Sequence, residues 1–127
     1  MGKAKVLIIE DEEAFQESLR EALGERIEIL FASSGKEGLA QAQQQQVDLI
    51  LLDLQLPDLS GFHVLRLLKM SPQTVSIPVV VISARADTQA LLEAEHLGAL
   101  DYLIKPSSWT EVREIVLRCL PSGGSFS

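Results

Sequence analysis

Acidic residues follow two apolar runs of the sequence, where buried strands would end. Glu10 and Asp11 come directly after a run at residues 6–9, and Asp53 follows a second run at residues 48–52. Strands that are apolar on both faces are typical of the centre of a parallel sheet, whose strand ends meet at one edge. Carboxylates this close are costly unless a cation joins them. The spacing therefore predicts a cation site.

Two more polar residues end later apolar runs. Ser83 follows residues 79–82, and Lys105 follows residues 102–104. With Asp53 as a nucleophilic carboxylate, they add a hydroxyl donor and a fixed positive charge to the cation site. In-line phosphoryl transfer needs a held nucleophile, neutralisation of the equatorial oxygens and little else. The residue types favour phosphoryl transfer onto a carboxylate.

Five short apolar runs alternate with five amphipathic segments along the chain. The predicted strands are 5–9, 27–31, 48–52, 79–82 and 102–104. The predicted helices are 12–23, 34–45, 62–70, 88–97 and 109–120. Ser34, Ser60 and Asp87 are suitable N-caps, whereas Gly24 and Gly98 are suitable helix ends.

This alternation predicts an α/β fold. Five βα units with short connections favour right-handed crossovers and helices on both faces of a parallel sheet. The flavodoxin-like doubly wound (βα)5 sandwich, with strand order 2-1-3-4-5, makes strands one and three neighbours at the switch point. We expect one domain at residues 1–120. Residues 121–127 have the composition of a flexible C-terminal tail or a truncated linker.

Composition excludes some classes of function. The net charge of −7 argues against a direct nucleic-acid surface, and it suits both a divalent-cation site and a plain acidic surface. The chain has no apolar stretch of the roughly 18 residues that a membrane span needs. One cysteine, Cys119, excludes an internal disulfide, so we expect a cytoplasmic protein without membrane contact.

These residues stand in an order found in a known family. The sequence resembles the receiver domain of two-component response regulators, of the chemotaxis-regulator-like kind, over residues 4–120. Five signatures carry the resemblance: Glu10-Asp11, the 53–61 stretch with Pro57 and Gly61, Ser83-Ala84, Tyr102 and Lys105-Pro106.

The resemblance implies a role for each site residue. Asp53 would accept a phosphoryl group from a sensor histidine kinase or a histidine phosphotransfer protein. Mg²⁺ would be held by Glu10, Asp11, Asp53 and the backbone carbonyl of Gln55, an all-oxygen set of the kind that this ion prefers. Lys105 would pair with Asp53 or with the phosphoryl oxygens.

The resemblance also implies a conformational switch. Ser83 would move to hydrogen-bond the phosphoryl group, and Tyr102 would turn inward as it does so. Helix four, strand five and helix five would form the output face, read by a downstream output domain or protein, with a phosphorylation-dependent dimer as one possibility. Such a module is not a turnover enzyme. The alternative for Tyr102 is simple packing at the sheet edge with its hydroxyl in water.

Some positions depart from the commonest family pattern. The acidic pair starts with Glu10 in place of Asp, and residues 107–109 replace the usual Phe after the Lys-Pro pair. We expect Trp109 to be a packing residue at the start of helix five. Gln55 and Arg85 flank the expected path of an attacking water, and our hypothesis is that they set the lifetime of the phosphoryl group.

Three other classes compete with this interpretation. A haloacid-dehalogenase-like phosphatase would need a general acid two residues after its nucleophile, where this chain has Gln55. A pseudo-receiver would usually have lost Asp53, an acid or Lys105. A flavodoxin-type protein would need a phosphate loop rich in Ser, Thr and Gly, where residues 10–13 are all acidic.

Overall fold

The computed structural model of the protein describes residues 2–105 and 108–120. The strands are β1 (Ala4–Ile9), β2 (Ile27–Ala32), β3 (Leu49–Asp53), β4 (Val79–Ser83) and β5 (Asp101–Ile104). The helices are α1 (Glu13–Leu23), α2 (Gly35–Gln44), α3 (Gly61–Met70), α4 (Thr88–His96) and α5 (Trp109–Cys119). All neighbouring strands pair in parallel, in the order β2-β1-β3-β4-β5. The predicted fold and strand order are confirmed.

Three strands, β2, β3 and β4, end one residue later than the sequence predicts, and for two of them the added residue belongs to the site. β3 includes Asp53 and β4 includes Ser83, because the ladder continues through the pairs Asp53–Ile82 and Ser83–Ile104. Both polar side chains are therefore attached to regular strand backbone. Pairing with the neighbouring strand fixes the direction of that backbone. This placement is stiffer than a position in the following loop would be.

The predicted helix boundaries have identifiable causes. The side chains of Ser34, Ser60 and Asp87 each accept a hydrogen bond from a backbone N–H two or three residues later, as N-caps do. Gly24 and Gly98 follow α1 and α4 with φ angles of 75° and 102°, a region of backbone conformation that favours glycine. Local chemistry thus sets where these helices begin and end.

Apolar side chains fill both sides of the sheet. One cluster lies between the sheet and helices α1 and α5, and the other between the sheet and helices α2, α3 and α4. Every residue of β3 and β4 is buried. The carboxyl ends of the central strands are therefore supported by close packing from both layers.

Gly61 lets the start of α3 approach the end of β3. Its backbone N–H donates to the Leu54 carbonyl oxygen at 2.9 Å, and a Cβ atom at this position would overlap the Leu54 Cα and the Asp53 carbonyl oxygen. Only glycine fits here without a backbone shift. Gly61 therefore shapes the loop beneath Asp53.

Some predictions fall on residues that the structure does not describe. Pro106, Ser107 and the tail at 121–127 lie outside the described residues, so the proposed domain boundary stays a prediction. Within the described residues, none of the helices combines the length and the apolar character that a bilayer crossing requires.

Candidate functional site

Three carboxylates converge at the carboxyl edge of the sheet, as the sequence predicts. Glu10 follows β1 and Asp53 ends β3, and these strands are paired. Oxygen atoms from Glu10, Asp11 and Asp53 all lie within 4.8 Å of one another. The side chains of Glu10 and Asp53 are buried, whereas that of Asp11 is exposed. Among the three acids, the cluster therefore meets solvent mainly at Asp11.

The ammonium group of Lys105 bridges two of these carboxylates. Its Nζ lies 3.0 Å from Asp53 Oδ2 and 2.7 Å from Glu10 Oε1, and the lysine side chain is 20% exposed. The backbone N–H of Lys105 donates to the Ser83 carbonyl oxygen at 2.7 Å, which fixes the residue at the end of β5. The pairing with Asp53 is the one that the resemblance implies, whereas the contact with Glu10 is not predicted from the sequence.

Glu10 and Lys105 respond differently to burial. Burial raises the pKa of Glu10 to about 7, against the hydrogen bonds from Lys105 and from the backbone N–H of Glu12, which lower it. Burial lowers the pKa of Lys105, but its hydrogen bonds with Glu10 and Asp53 outweigh this effect and raise it. The site therefore keeps a permanent cation beside a carboxyl group that exchanges its proton near neutral pH.

The carboxylate of Asp53 is held at both oxygens. Oδ1 accepts a hydrogen bond from the backbone N–H of Gln55 at 3.0 Å, and Oδ2 accepts from Lys105. Gln55 also forms an isolated antiparallel bridge with Ser60, and its side chain is exposed. The proposed use of the Gln55 carbonyl as a metal ligand stays a prediction.

Ser83 and Tyr102 are both connected to the backbone of Arg85. The buried Ser83 Oγ accepts from the Arg85 N–H at 3.1 Å, and the Tyr102 hydroxyl donates to the Arg85 carbonyl oxygen at 2.8 Å. The Tyr102 ring packs half-buried against the cluster beneath α3 and α4. Its hydroxyl thus has a protein partner, which the alternative of simple edge packing did not include.

The Arg85 side chain is engaged elsewhere. Its guanidinium forms a pair with Asp87 at 2.9 Å and lies 5.7 Å from the centroid of the Phe62 ring. The role of Gln55 and Arg85 in phosphoryl lifetime stays a prediction.

Sequence reasoning did not place two residues of α1, Phe15 and Gln16, at the site. The Gln16 side chain donates to the Glu10 carbonyl oxygen at 2.5 Å, and the Phe15 ring lies 4.1 Å from Lys105 Nζ. Trp109 packs on Phe15 with ring centroids 5.2 Å apart, in agreement with its expected packing role. Gln16 had a usable signal, since it is a polar residue next to the apolar face of a predicted helix.

Asp58 is another residue whose role was missed. Its carboxylate oxygens accept hydrogen bonds from the backbone N–H groups of Gly35 and Lys36, at 2.7 and 2.9 Å. These bonds, that of Lys36 first, lower the pKa of Asp58. A residue of the β3–α3 loop thus helps to cap α2 alongside Ser34.

Comparison with known proteins assigns this arrangement to a family. Residues 6–117 match the response regulator receiver domain. The chain belongs to this family. The receiver domain is 42% identical over 102 residues to the KDP operon transcriptional regulatory protein KdpE of Escherichia coli, covering 80% of this chain and 44% of that protein. It is 32% identical over 123 residues to the transcriptional regulatory protein CiaR of Streptococcus pneumoniae, covering 97% and 54%.

Solved structures agree with this assignment. The receiver domain matches the chemotaxis protein CheY4 of Vibrio cholerae with a TM-score of 0.86 and 26% identity, covering 94% of this chain and all of that one. The chain spans about half the length of the curated relatives it matches. It is a signalling module of two-component systems, and its family serves as the phosphoacceptor in phosphorelays.

Proposed function

We propose that Asp53 is the residue that accepts the phosphoryl group. The observation that carries this proposal is the convergence of Glu10, Asp11 and Lys105 on its carboxylate at the open edge of the sheet. A nucleophilic carboxylate needs positive charge nearby to bring an anionic phosphoryl group close, and Lys105 supplies part of it. Asp11 is the other described aspartate of this cluster, and its side chain is exposed, whereas Asp53 is buried beside Lys105.

The same residues fit Mg²⁺. Their donor atoms are all oxygen, they lie within reach of one ion, and their summed charge is negative even beside Lys105. In this proposal Glu10, Asp11 and Asp53 hold the ion, with the Gln55 carbonyl as a further ligand. When bound, the ion would neutralise charge on the phosphoryl oxygens.

The transfer step follows from the arrangement around Asp53. A carboxylate oxygen forms a new P–O bond while the P–N bond of a donor phosphohistidine breaks, and the electron pair stays on the imidazole nitrogen. The Gln55 N–H and Lys105 orient the carboxylate through its two oxygens. Both act before the donor arrives, so the nucleophile is preorganised.

The output would start at the backbone of Arg85. A phosphoryl group on Asp53 that takes a hydrogen bond from Ser83 would displace the turn that Ser83 Oγ now holds. The same turn supplies the carbonyl to which Tyr102 is bonded. Movement of Ser83 is thereby coupled to Tyr102, and through it to the proposed output face of α4, β5 and α5.

The proposal also covers the signalling partners of the protein and its location in the cell. The donor is a sensor histidine kinase or a histidine phosphotransfer protein, and the receiver of the signal is an output domain or protein, with dimer formation through the output face as one route. The chain itself turns over no substrate and binds no nucleic acid. A cytoplasmic location suits its single cysteine.

The test measures intact mass after incubation with acetyl phosphate. We expect the wild type to gain one phosphoryl group with Mg²⁺ and none with EDTA. Asp53→Asn should gain none. Asp48→Asn is the matched control, because Asp48 lies at the opposite end of β3, where it accepts a hydrogen bond from the Lys5 N–H. It should be phosphorylated like the wild type.

Two results would contradict the proposal. Equal phosphorylation of Asp53→Asn and the wild type would assign the acceptor elsewhere. A folded, Mg²⁺-binding protein that gains no phosphoryl group from acetyl phosphate or from a phosphorylated histidine protein would instead be a pseudo-receiver.

A further inference from the structure

The ammonium group of Lys105 has an aromatic neighbour besides its two carboxylates. Its Nζ lies 4.1 Å from the centroid of the Phe15 ring. A cation within about 6 Å of a ring centroid is attracted by the negative face of the ring, more strongly where water is excluded. Since the lysine side chain is 20% exposed, this attraction acts in a largely desolvated place.

The Phe15 ring is held in place from more than one side. It lies near the start of α1 and packs against the cluster shared by α1 and α5. The Trp109 ring, at the start of α5, contacts it at a centroid distance of 5.2 Å and an interplanar angle of 51°. The next residue, Gln16, ties α1 to the Glu10 backbone. The ring is therefore a fixed surface against which a flexible side chain can rest.

A lysine needs such a surface more than an arginine does. Its ammonium is a point charge on four methylene groups, and without restraint it samples many rotamers. The electrostatic effect of the charge on a reacting group depends on a fixed distance from it. Glu10 and Asp53 attract the ammonium, and the Phe15 ring bounds it on a further side.

We propose that Phe15 is a positioning residue for phosphoryl transfer, whose ring fixes the Lys105 ammonium between Glu10 and Asp53 by cation–π attraction while Trp109 braces the ring. This inference rests on the proposed function, since it concerns the same transfer to Asp53. It assigns a role at the site to α1 and to Trp109, which the sequence analysis expected only to pack.

The experiment varies the electronic character of the ring and leaves its shape nearly unchanged. Phe15 is replaced by monofluorinated and trifluorinated phenylalanine in the full chain, and the rate of Asp53 phosphorylation is measured at saturating Mg²⁺ and acetyl phosphate. Each added fluorine weakens the negative face of the ring. We expect the rate to fall stepwise, to about one fifth for the trifluorinated ring. Phe15→Leu, which has no aromatic ring, should show a similar loss of rate. Phe15→Tyr, which keeps the ring, should react as fast as the wild type.

Phe31 provides the matched control. Its ring also faces a cation, with the Arg20 guanidinium 4.9 Å from the centroid, and it packs against the same apolar cluster as Phe15. The same substitutions at Phe31 should leave the phosphorylation rate unchanged. The free energy of unfolding, measured with urea for every variant, separates loss of stability from loss of rate.

The outcomes separate this inference from the proposed function. A wild type that is phosphorylated at Asp53, with fluorinated Phe15 variants that react equally fast, would overturn the positioning role alone. Equal slowing at Phe15 and Phe31 would also overturn it, because it would indicate a general packing effect. A wild type that takes up no phosphoryl group at Asp53 would refute the proposed function itself. If Phe15→Leu does not fold, the fluorinated series decides.

Discussion

The raised pKa of Glu10 makes the stability of the ion-free protein depend on pH in an unusual direction. In the folded protein this carboxyl holds its proton up to about pH 7, whereas in the unfolded chain it releases it near pH 4.5. Between these values the folded state binds more protons than the unfolded state. Its free energy of unfolding must then fall as pH rises through this window.

The magnitude follows from the size of the shift. One pKa unit corresponds to about 1.4 kcal/mol, so a rise from 4.5 to about 7 corresponds to about 3 kcal/mol. Because the Glu10 side chain is 1% exposed, little of this is lost to solvent screening. The change is complete by about pH 8, where Glu10 is ionised in both states.

The perturbation is Glu10→Gln, which replaces the carboxyl with a neutral group of the same shape. The amide oxygen can still accept from Lys105, and the variant has no proton to lose at this position. Urea unfolding of both proteins in EDTA, from pH 4.5 to 8, gives the difference between their free energies of unfolding. Taking this difference removes the contributions of all other titrating groups that the two proteins share.

We expect the two proteins to be similarly stable at pH 4.5, the lower end of this range. By pH 8 the wild type should have lost about 3 kcal/mol relative to Glu10→Gln. A difference that stays constant across this range would refute the reasoning, because Glu10 would then titrate at the same pH in the folded and unfolded states. A difference that moves in the opposite direction would mean that Lys105 outweighs burial at Glu10.

Two further predictions use the same assays. Mg²⁺ competes with the proton on Glu10. The affinity of the protein for Mg²⁺ should therefore rise by up to about tenfold per pH unit below pH 7 and level off above it. In the same titrations, Glu10→Gln should bind Mg²⁺ weakly, with an affinity that does not change with pH. Gly61→Ala should lower the free energy of unfolding by about 2 kcal/mol or more, because its Cβ would overlap backbone atoms of Asp53 and Leu54. Gly2→Ala, which adds a Cβ in open space, should match the wild type in urea unfolding, and equal stability of both variants would contradict the close approach at Gly61.

Local sequence patterns were sufficient to predict the fold and the meeting point of the acids. Apolar runs of strand length gave the five strands, and capping residues such as Ser34 and Asp87 placed helix starts correctly. The convergence of Glu10, Asp11 and Asp53 then followed from the rule that parallel strands end at one edge. These features depend on short stretches of chain and on topology.

Contacts between distant elements were not predictable in the same way. Lys105 meets Glu10 across 95 positions, and nothing in either local sequence indicates that Glu10 is buried enough to compete with Asp53 for the ammonium. Phe15 packs against the apolar cluster between the sheet and helices α1 and α5. Its approach to Lys105 depends on how α1 and α5 lie against each other, which periodicity does not encode.

The hydrogen bonds of Asp58 hold one side of the site in place, whereas the opposite side has no such restraint from Asp58. They attach the loop after Asp53 to the first backbone N–H groups of α2, on the β2 side of the sheet, and Gly61 locks the other end of that loop against β3. On the opposite side, residues 84–89 after β4 are exposed. If Asp53 is phosphorylated as proposed, we expect the backbone to move on the β4–β5 side, because the loop after Asp53 is held on the β2 side. We therefore predict that the hydrogen bonds of Asp58 set the direction of the response, although they lie on the side of the sheet away from it.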